Sequence, residues 1–163
     1  MTLRGTKKIV GVFLSLALFG FAPIAVAQDK PVDNMQILRD KIRADKKLVV
    51  ATNMELTEGE AKDFWPIYEQ YQKDLQKINQ RIANLLESYA DDFRNKSLTD
   101  EKAKKLIDDA LAIDRAEANL KTTYAPKLSK ALPIRKVARY LQIENKIRAV
   151  VKYDIASGVP LVR

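Results

Sequence analysis

Residues 56–89 read LTEGEAKDFWPIYEQYQKDLQKINQRIANLLESY, and this stretch carries an unbroken helical apolar pattern. Its apolar side chains recur at alternating spacings of three and four, at Ala61, Phe64, Tyr68, Tyr71, Leu75, Ile78, Ile82, Leu85 and Tyr89. A repeat of about 3.5 residues is typical of a long helix that packs along other helices, as in a coiled coil. The stretch therefore predicts an all-α fold built around one long helix.

The residues before this pattern form a helix-capping signal. The Thr57 hydroxyl is placed to accept a hydrogen bond from the backbone N–H of Glu60, and the Glu60 side chain is placed to reach back. A second start of the same kind lies at Leu98 and Thr99, with acidic residues in the first turn. We predict that the two threonines cap long helices and that Leu56 and Leu98 pack beside the caps.

Prolines lie inside both long helices. Pro66 leaves a backbone carbonyl without its helical donor. We expect a kink there rather than a break, because the apolar spacing passes through Pro66 without a slip. Pro126 is predicted to form either a second kink or a break. The consequence would be bent helices.

Two more helices are predicted around this pair. The first spans about Asn34 to Asn53, with an inner face at Met35, Leu38, Ile42 and Val49.

The polar residues 91–97 predict a turn between the two long helices. The third helix continues from Thr99 with an apolar stripe at Ala103, Leu106, Ala110, Ile113, Leu120 and Tyr124. Glu117 interrupts that stripe.

The last helix is expected to begin at Leu132-Pro133 and to end at Gly158. Its apolar side is formed by Val137, Leu141, Ile147, Val151 and Ile155. An apolar tail follows at Val159, Leu161 and Val162, and we expect it to dock on the body or on a second subunit. The prediction is an all-α, four-helix antiparallel bundle of kinked helical hairpins, cradle-like in shape. A homodimer would cover the stripes that helices of unequal length leave open.

The beginning of the chain is typical of a secretory signal peptide. Basic side chains come first, at Arg4, Lys7 and Lys8. Residues 9–21 are apolar, and Ala25-Val26-Ala27 supplies the small residues of a cleavage site after Ala27. The alternative, an uncleaved anchor, is disfavoured because the apolar run is shorter than the ~20 residues that span a bilayer. We expect a periplasmic protein in which residues 28–163 form a single all-helical domain.

The composition argues against an enzyme. The chain contains neither histidine nor cysteine, so it has no imidazole base, no thiol nucleophile and no zinc site of the usual ligands. The acidic pairs Asp91-Asp92 and Asp108-Asp109 lack the spaced ligands and the turn glycine of a calcium loop. We interpret them as solvated surface. No catalytic residue, metal or cofactor is expected.

Positive charge is concentrated toward the end of the chain. Residues 126–163 contain nine basic and two acidic side chains. The predicted partner-binding residues are Arg135, Lys136, Arg139, Lys146 and Arg148. In a secreted protein, unfolded or acidic proteins and an anionic membrane surface fit this charge better than nucleic acid does.

The two Leu-Thr starts, the signal peptide and the short helical chain resemble the Spy/CpxP group of bacterial periplasmic proteins, also called the LTxxQ family. The matching segments begin at Leu56-Thr57 and at Leu98-Thr99, with Glu60 and Lys102 where the family has Gln. The resemblance implies a bent, four-helix, cradle-like dimer. It also implies either an ATP-independent periplasmic chaperone or an accessory inhibitor of an envelope-stress sensor kinase.

Two functional hypotheses follow from the residues and the resemblance. The first is a periplasmic ATP-independent chaperone or stress-response protein that binds unfolded or envelope proteins. The alternative is a regulatory or structural envelope protein that binds one specific partner, such as the periplasmic domain of a sensor kinase. Client binding would need adaptable mixed contacts, and charge would speed the capture of a client.

Overall fold

The computed structural model describes residues 45–162, and within them it contains four helices and no strand. They are α1 (45–54), α2 (Glu58–Asn95), α3 (Asp100–Ala131) and α4 (Ile134–Gly158). The all-α prediction is confirmed. The predicted signal peptide and the part of the first predicted helix before residue 45 lie outside the described residues. Between residues 45 and 162, no helix combines the length and the apolar character that crossing a bilayer requires.

α2 and α3 form a long antiparallel hairpin. The sequence predicted a turn over residues 91–97, but α2 continues to Asn95, so that prediction was wrong at its start. The helix ends where Lys96 adopts a left-handed conformation, with φ of 52°. The backbone N–H groups of Lys96 and Ser97 then bind carbonyls of the last turn, which allows the polar residues before them to stay helical.

Both internal prolines lie within continuous helices. α2 runs through Pro66 and α3 runs through Pro126. The alternative in which Pro126 breaks the third helix is therefore wrong. A proline costs a helix one hydrogen bond, and the packing of the flanking turns into the core outweighs that loss.

The core lies where the four helices meet, and it is rich in aromatic side chains. Phe64 and Tyr140 pack edge to face with ring centroids 5.1 Å apart, and Tyr71 packs in the same way on Tyr124 at 5.3 Å. The predicted α2 stripe supplies much of this core, with buried side chains at Phe64, Tyr68, Tyr71, Leu75, Ile78 and Tyr89. Val50 and Met54 of α1 are fully buried in the same cluster.

α4 packs through a face that overlaps the predicted one only in part, at Val137 and Ile147. Its buried residues are Val137, Tyr140, Glu144, Ile147 and Val150. Leu141, Val151 and Ile155, which the pattern placed on the inner face, are only half-buried. The reason is that Tyr140 and Glu144 find polar partners inside the bundle, so their polar atoms do not keep them at the surface.

Candidate partner-binding surface

Two of the predicted basic residues near the start of α4, Lys136 and Arg139, bind the loop between α1 and α2 and the first turn of α2. The Lys136 ammonium lies 2.5 Å from Glu60 Oε2 and donates to the Glu55 carbonyl at 2.9 Å. Arg139 lies 3.4 Å from the Glu55 carboxylate. The hydrogen bond from Lys136 lowers the pKa of Glu60. Lys136 and Arg139 therefore hold α4 against the α1–α2 loop and the first turn of α2.

Arg148 lies elsewhere, in the seam between α3 and α4. It forms an ion pair with Glu117 and donates to Asn79 Oδ1 at 2.8 Å. Lys152 adds contacts of 2.9 Å to Glu117 and to Asp114. Burial raises the pKa of Glu117, but the hydrogen bonds and charges of Arg148 and Lys152 outweigh burial and lower it. Glu117 thus occupies a core position of the α3 stripe instead of interrupting it.

The five predicted residues consequently differ in their surroundings. Arg135 and Lys146 are exposed, and neither makes an ion pair or side-chain hydrogen bond with another residue between 45 and 162. Lys136, Arg139 and Arg148 are each bound by acidic groups of the same chain. Of the five, only Arg135 and Lys146 are therefore available to a partner without breaking contacts within the described part of the chain.

Two grooves that the sequence did not indicate open near the α2–α3 connection. The first, which we call the hairpin groove, has a volume of about 510 Å³, and all its lining residues lie on α2 and α3. Its apolar side chains are Leu85, Leu106 and Ile113. Charged side chains of both signs surround them, at Arg81, Lys102, Lys105, Asp91, Asp92 and Asp109.

The second groove, the tail groove, lies between α2 and the end of α4. Its volume is about 460 Å³, and its lining is mostly apolar, including Leu86, Tyr89, Phe93, Ile155, Val159 and Pro160. The Tyr89 hydroxyl donates to the Pro160 carbonyl at 2.9 Å, which fixes the chain at the edge of the groove. Beyond it, Leu161 is 88% and Val162 59% exposed, so only the beginning of the apolar tail, at Val159, packs on the described part of the body.

The threonine caps are present at both helix starts. Thr57 and Glu60 form a reciprocal capping box on α2. A Glu or a Gln can close such a box, so Glu60 makes the hydrogen bond that a Gln would make. Thr99 accepts from the Lys102 backbone N–H, while the Lys102 ammonium binds Asp92 at 2.5 Å and ties α3 to the end of α2. Leu56 packs against the core, and Leu98 is half-buried beside Phe93.

The acidic residues near the hairpin groove bind lysines and arginines of the same chain. Asp91 pairs with Arg94, and Asp109 pairs with Lys105 at 2.6 Å. Residues 45–162 contain no group of three or more acidic, histidine or cysteine side chains arranged to hold a metal ion. The hairpin groove thus combines apolar area with surrounding charges of both signs.

Neither groove could be predicted from the sequence, because no local residue pattern distinguishes the positions that line them. The apolar spacing of α2 and α3 is the same in the closed core and beside the grooves. Comparison of the chain with family models, with curated proteins and with solved structures found no match.

Proposed function

We propose that this protein is a periplasmic, ATP-independent chaperone or stress-response protein that holds unfolded or envelope proteins on the hairpin groove. The observation that carries the proposal is the composition of this groove, with an apolar patch inside a rim of both charges. The resemblance to the Spy/CpxP group and the predicted signal peptide support the same function.

The physical argument concerns what an unfolded protein offers. Its exposed segments mix aliphatic and charged side chains without a fixed shape. An open groove with a small apolar patch gains free energy from any apolar side chain. The rim carries charges of both signs in exposed, weak pairs, which can be exchanged for pairs with a client in many arrangements. Such contacts are individually weak, so the client remains free to leave and fold without a nucleotide cycle.

The test measures how the purified protein affects the light scattering of an aggregating client. The wild-type protein should suppress aggregation at stoichiometric ratios. The double variant Arg81→Glu/Lys105→Glu reverses two charges on the groove rim and should weaken suppression at low salt at least severalfold, because charge speeds capture.

The matched control is Arg135→Glu/Lys146→Glu. It changes the net charge equally, and it alters two exposed residues outside the groove that have no side-chain partner between residues 45 and 162. This control variant should suppress client aggregation as well as the wild-type protein does. If Arg135→Glu/Lys146→Glu lost suppression while Arg81→Glu/Lys105→Glu kept it, the result would reject the hairpin groove and place client binding on α4. A wild-type protein that suppresses nothing but captures one periplasmic protein in a salt-sensitive complex would favour the regulatory alternative.

A further inference from the structure

The charges that line the hairpin groove are paired within the chain, except for one. Every acidic side chain of the lining has a basic partner, in the pairs Asp91–Arg94, Asp92–Lys102 and Asp109–Lys105. Arg81 also lines the groove and is exposed. Its side chain makes no ion pair or hydrogen bond with another residue between 45 and 162. Within the described part of the chain, the groove therefore carries one unmatched positive charge.

Arg81 lies beside the apolar patch of the groove. Leu85 follows one helical turn later on α2, about 6 Å along the helix axis. The ion pair between Asp92 and Lys102 fixes the register of the antiparallel hairpin. Ile113 comes as many residues after Lys102 as Arg81 comes before Asp92, so Ile113 and Arg81 lie at the same level of the hairpin. A partner that covers the patch therefore brings its neighbouring polar groups within reach of the guanidinium.

The unmatched charge favours an acidic side chain of the partner over a basic one. A carboxylate pairs with Arg81 without breaking any contact within residues 45–162, and the guanidinium offers it two parallel hydrogen bonds. An ammonium group is repelled by Arg81, and it reaches an aspartate of the groove only by displacing the basic side chain already bound there. Because exposed ion pairs are weak, the result is a severalfold preference and not an absolute selection.

We propose that the hairpin groove prefers extended client segments in which an acidic residue lies two positions from an aliphatic one. Side chains two positions apart in an extended chain point to the same side and lie about 6.6 Å apart, close to the rise of one helical turn from Arg81 to Leu85. The aliphatic side chain then covers Leu85 and Ile113 while the carboxylate binds Arg81. This inference rests on the proposed function, because it names the segments that the groove holds.

NMR titration of the isotope-labelled protein with two short peptides tests the preference. The first peptide contains Glu-Thr-Leu in a soluble glycine-serine background, and the second has lysine in place of the glutamate. At low salt the glutamate peptide should bind wild type at least about threefold more tightly and shift the amide signals of residues 81–88. In Arg81→Glu the order of the two peptides should reverse. High salt should bring the two affinities together, because it screens exposed charges.

The matched control is Arg115→Glu, which changes the net charge equally. Arg115 is an exposed α3 residue outside the groove, and its side chain has no partner between residues 45 and 162. This variant should keep the preference for the glutamate peptide. Equal binding of the two peptides by wild type, binding of neither, or reversal of the order in Arg115→Glu as well would overturn the proposal.

The peptide titration and the chaperone test fail independently. A protein that suppresses client aggregation but binds both peptides equally would refute only the preference for acidic segments. A protein that binds the glutamate peptide selectively but suppresses no aggregation would refute only the chaperone function.

Discussion

Lys46 on α1 and Glu144 on α4 form an ion pair 2.8 Å long between residues 98 positions apart in the chain. Glu144 is only 3% exposed. It also accepts a hydrogen bond from Gln72 at 2.8 Å. A buried carboxylate costs free energy unless its charge is matched, so α1 is required for the stability of the α2–α4 seam.

Replacing Lys46 should therefore destabilise the fold. Lys46→Met leaves the buried Glu144 carboxylate without its cation, and we expect a loss of about 2 kcal/mol in the free energy of unfolding. Urea unfolding followed by circular dichroism measures it. Lys47→Met is the control, because its pair with Glu69 is exposed on both sides and should contribute little. Equal losses for the two variants would contradict the role assigned to burial.

The ion pairs of Glu117 should make stability depend on pH. Its pKa is lowered in the folded protein, so the folded state favours the carboxylate. The resulting stabilisation is present above the pKa of a glutamate in the unfolded chain and is lost as the pH falls through the lower folded value. Glu117→Gln should be less stable than wild type by about 2 kcal/mol at neutral pH.

The difference in the free energy of unfolding between wild type and Glu117→Gln should shrink as the pH falls below about 4. Protonation then neutralises Glu117 in the wild-type protein, and the two proteins become alike at this position. Urea unfolding of both proteins at several pH values measures the difference. A gap that stays constant from neutral to acidic pH would show that the Glu117 charge does not stabilise the fold.

Asp74 is expected to respond to a change at Tyr124. Hydrogen bonds from Lys77 and from the Tyr124 hydroxyl, the latter 2.7 Å long, lower the pKa of Asp74 to about 2. Tyr124→Phe should raise that pKa and cost about 1 kcal/mol in the free energy of unfolding. NMR titration of the Asp74 carboxyl group measures the change. Tyr89→Phe, which removes a hydroxyl far from Asp74, should leave the titration unchanged.

The two threonine caps should differ in strength. Thr57→Ala removes the hydroxyl half of a reciprocal capping box and loosens the other half, the bond from the residue 57 backbone N–H to Glu60, whereas the cap at Thr99 has no such second half. We expect a loss of about 1 kcal/mol at Thr57 and a smaller one at Thr99, measured by thermal unfolding. Thr57→Ser keeps the hydroxyl and should retain most of the stability. A larger loss at Thr99 would reverse this ranking.

The parts of the fold that the sequence predicted depend on residues close together in the chain. The α2 stripe repeats within two turns, and each threonine cap involves the third residue after it. The extension of α2 to Asn95 was missed because it depends on the left-handed conformation of Lys96, which no residue pattern signalled. Periodicity located Val137 and Ile147 of α4 inside but missed Tyr140 and Glu144, since it counts polar side chains as outward residues.

The sequence by itself determined that this chain forms long amphipathic helices, where they are capped, and which chemistry it lacks. Only the tertiary structure decided that Glu117 and Glu144 are buried and that Lys136, Arg139 and Arg148 bind acids of their own chain. It also located the two grooves. The physical reason is that a charge is buried or exposed, and a groove filled or open, according to partners far away in sequence, whereas a helix forms from its own turns.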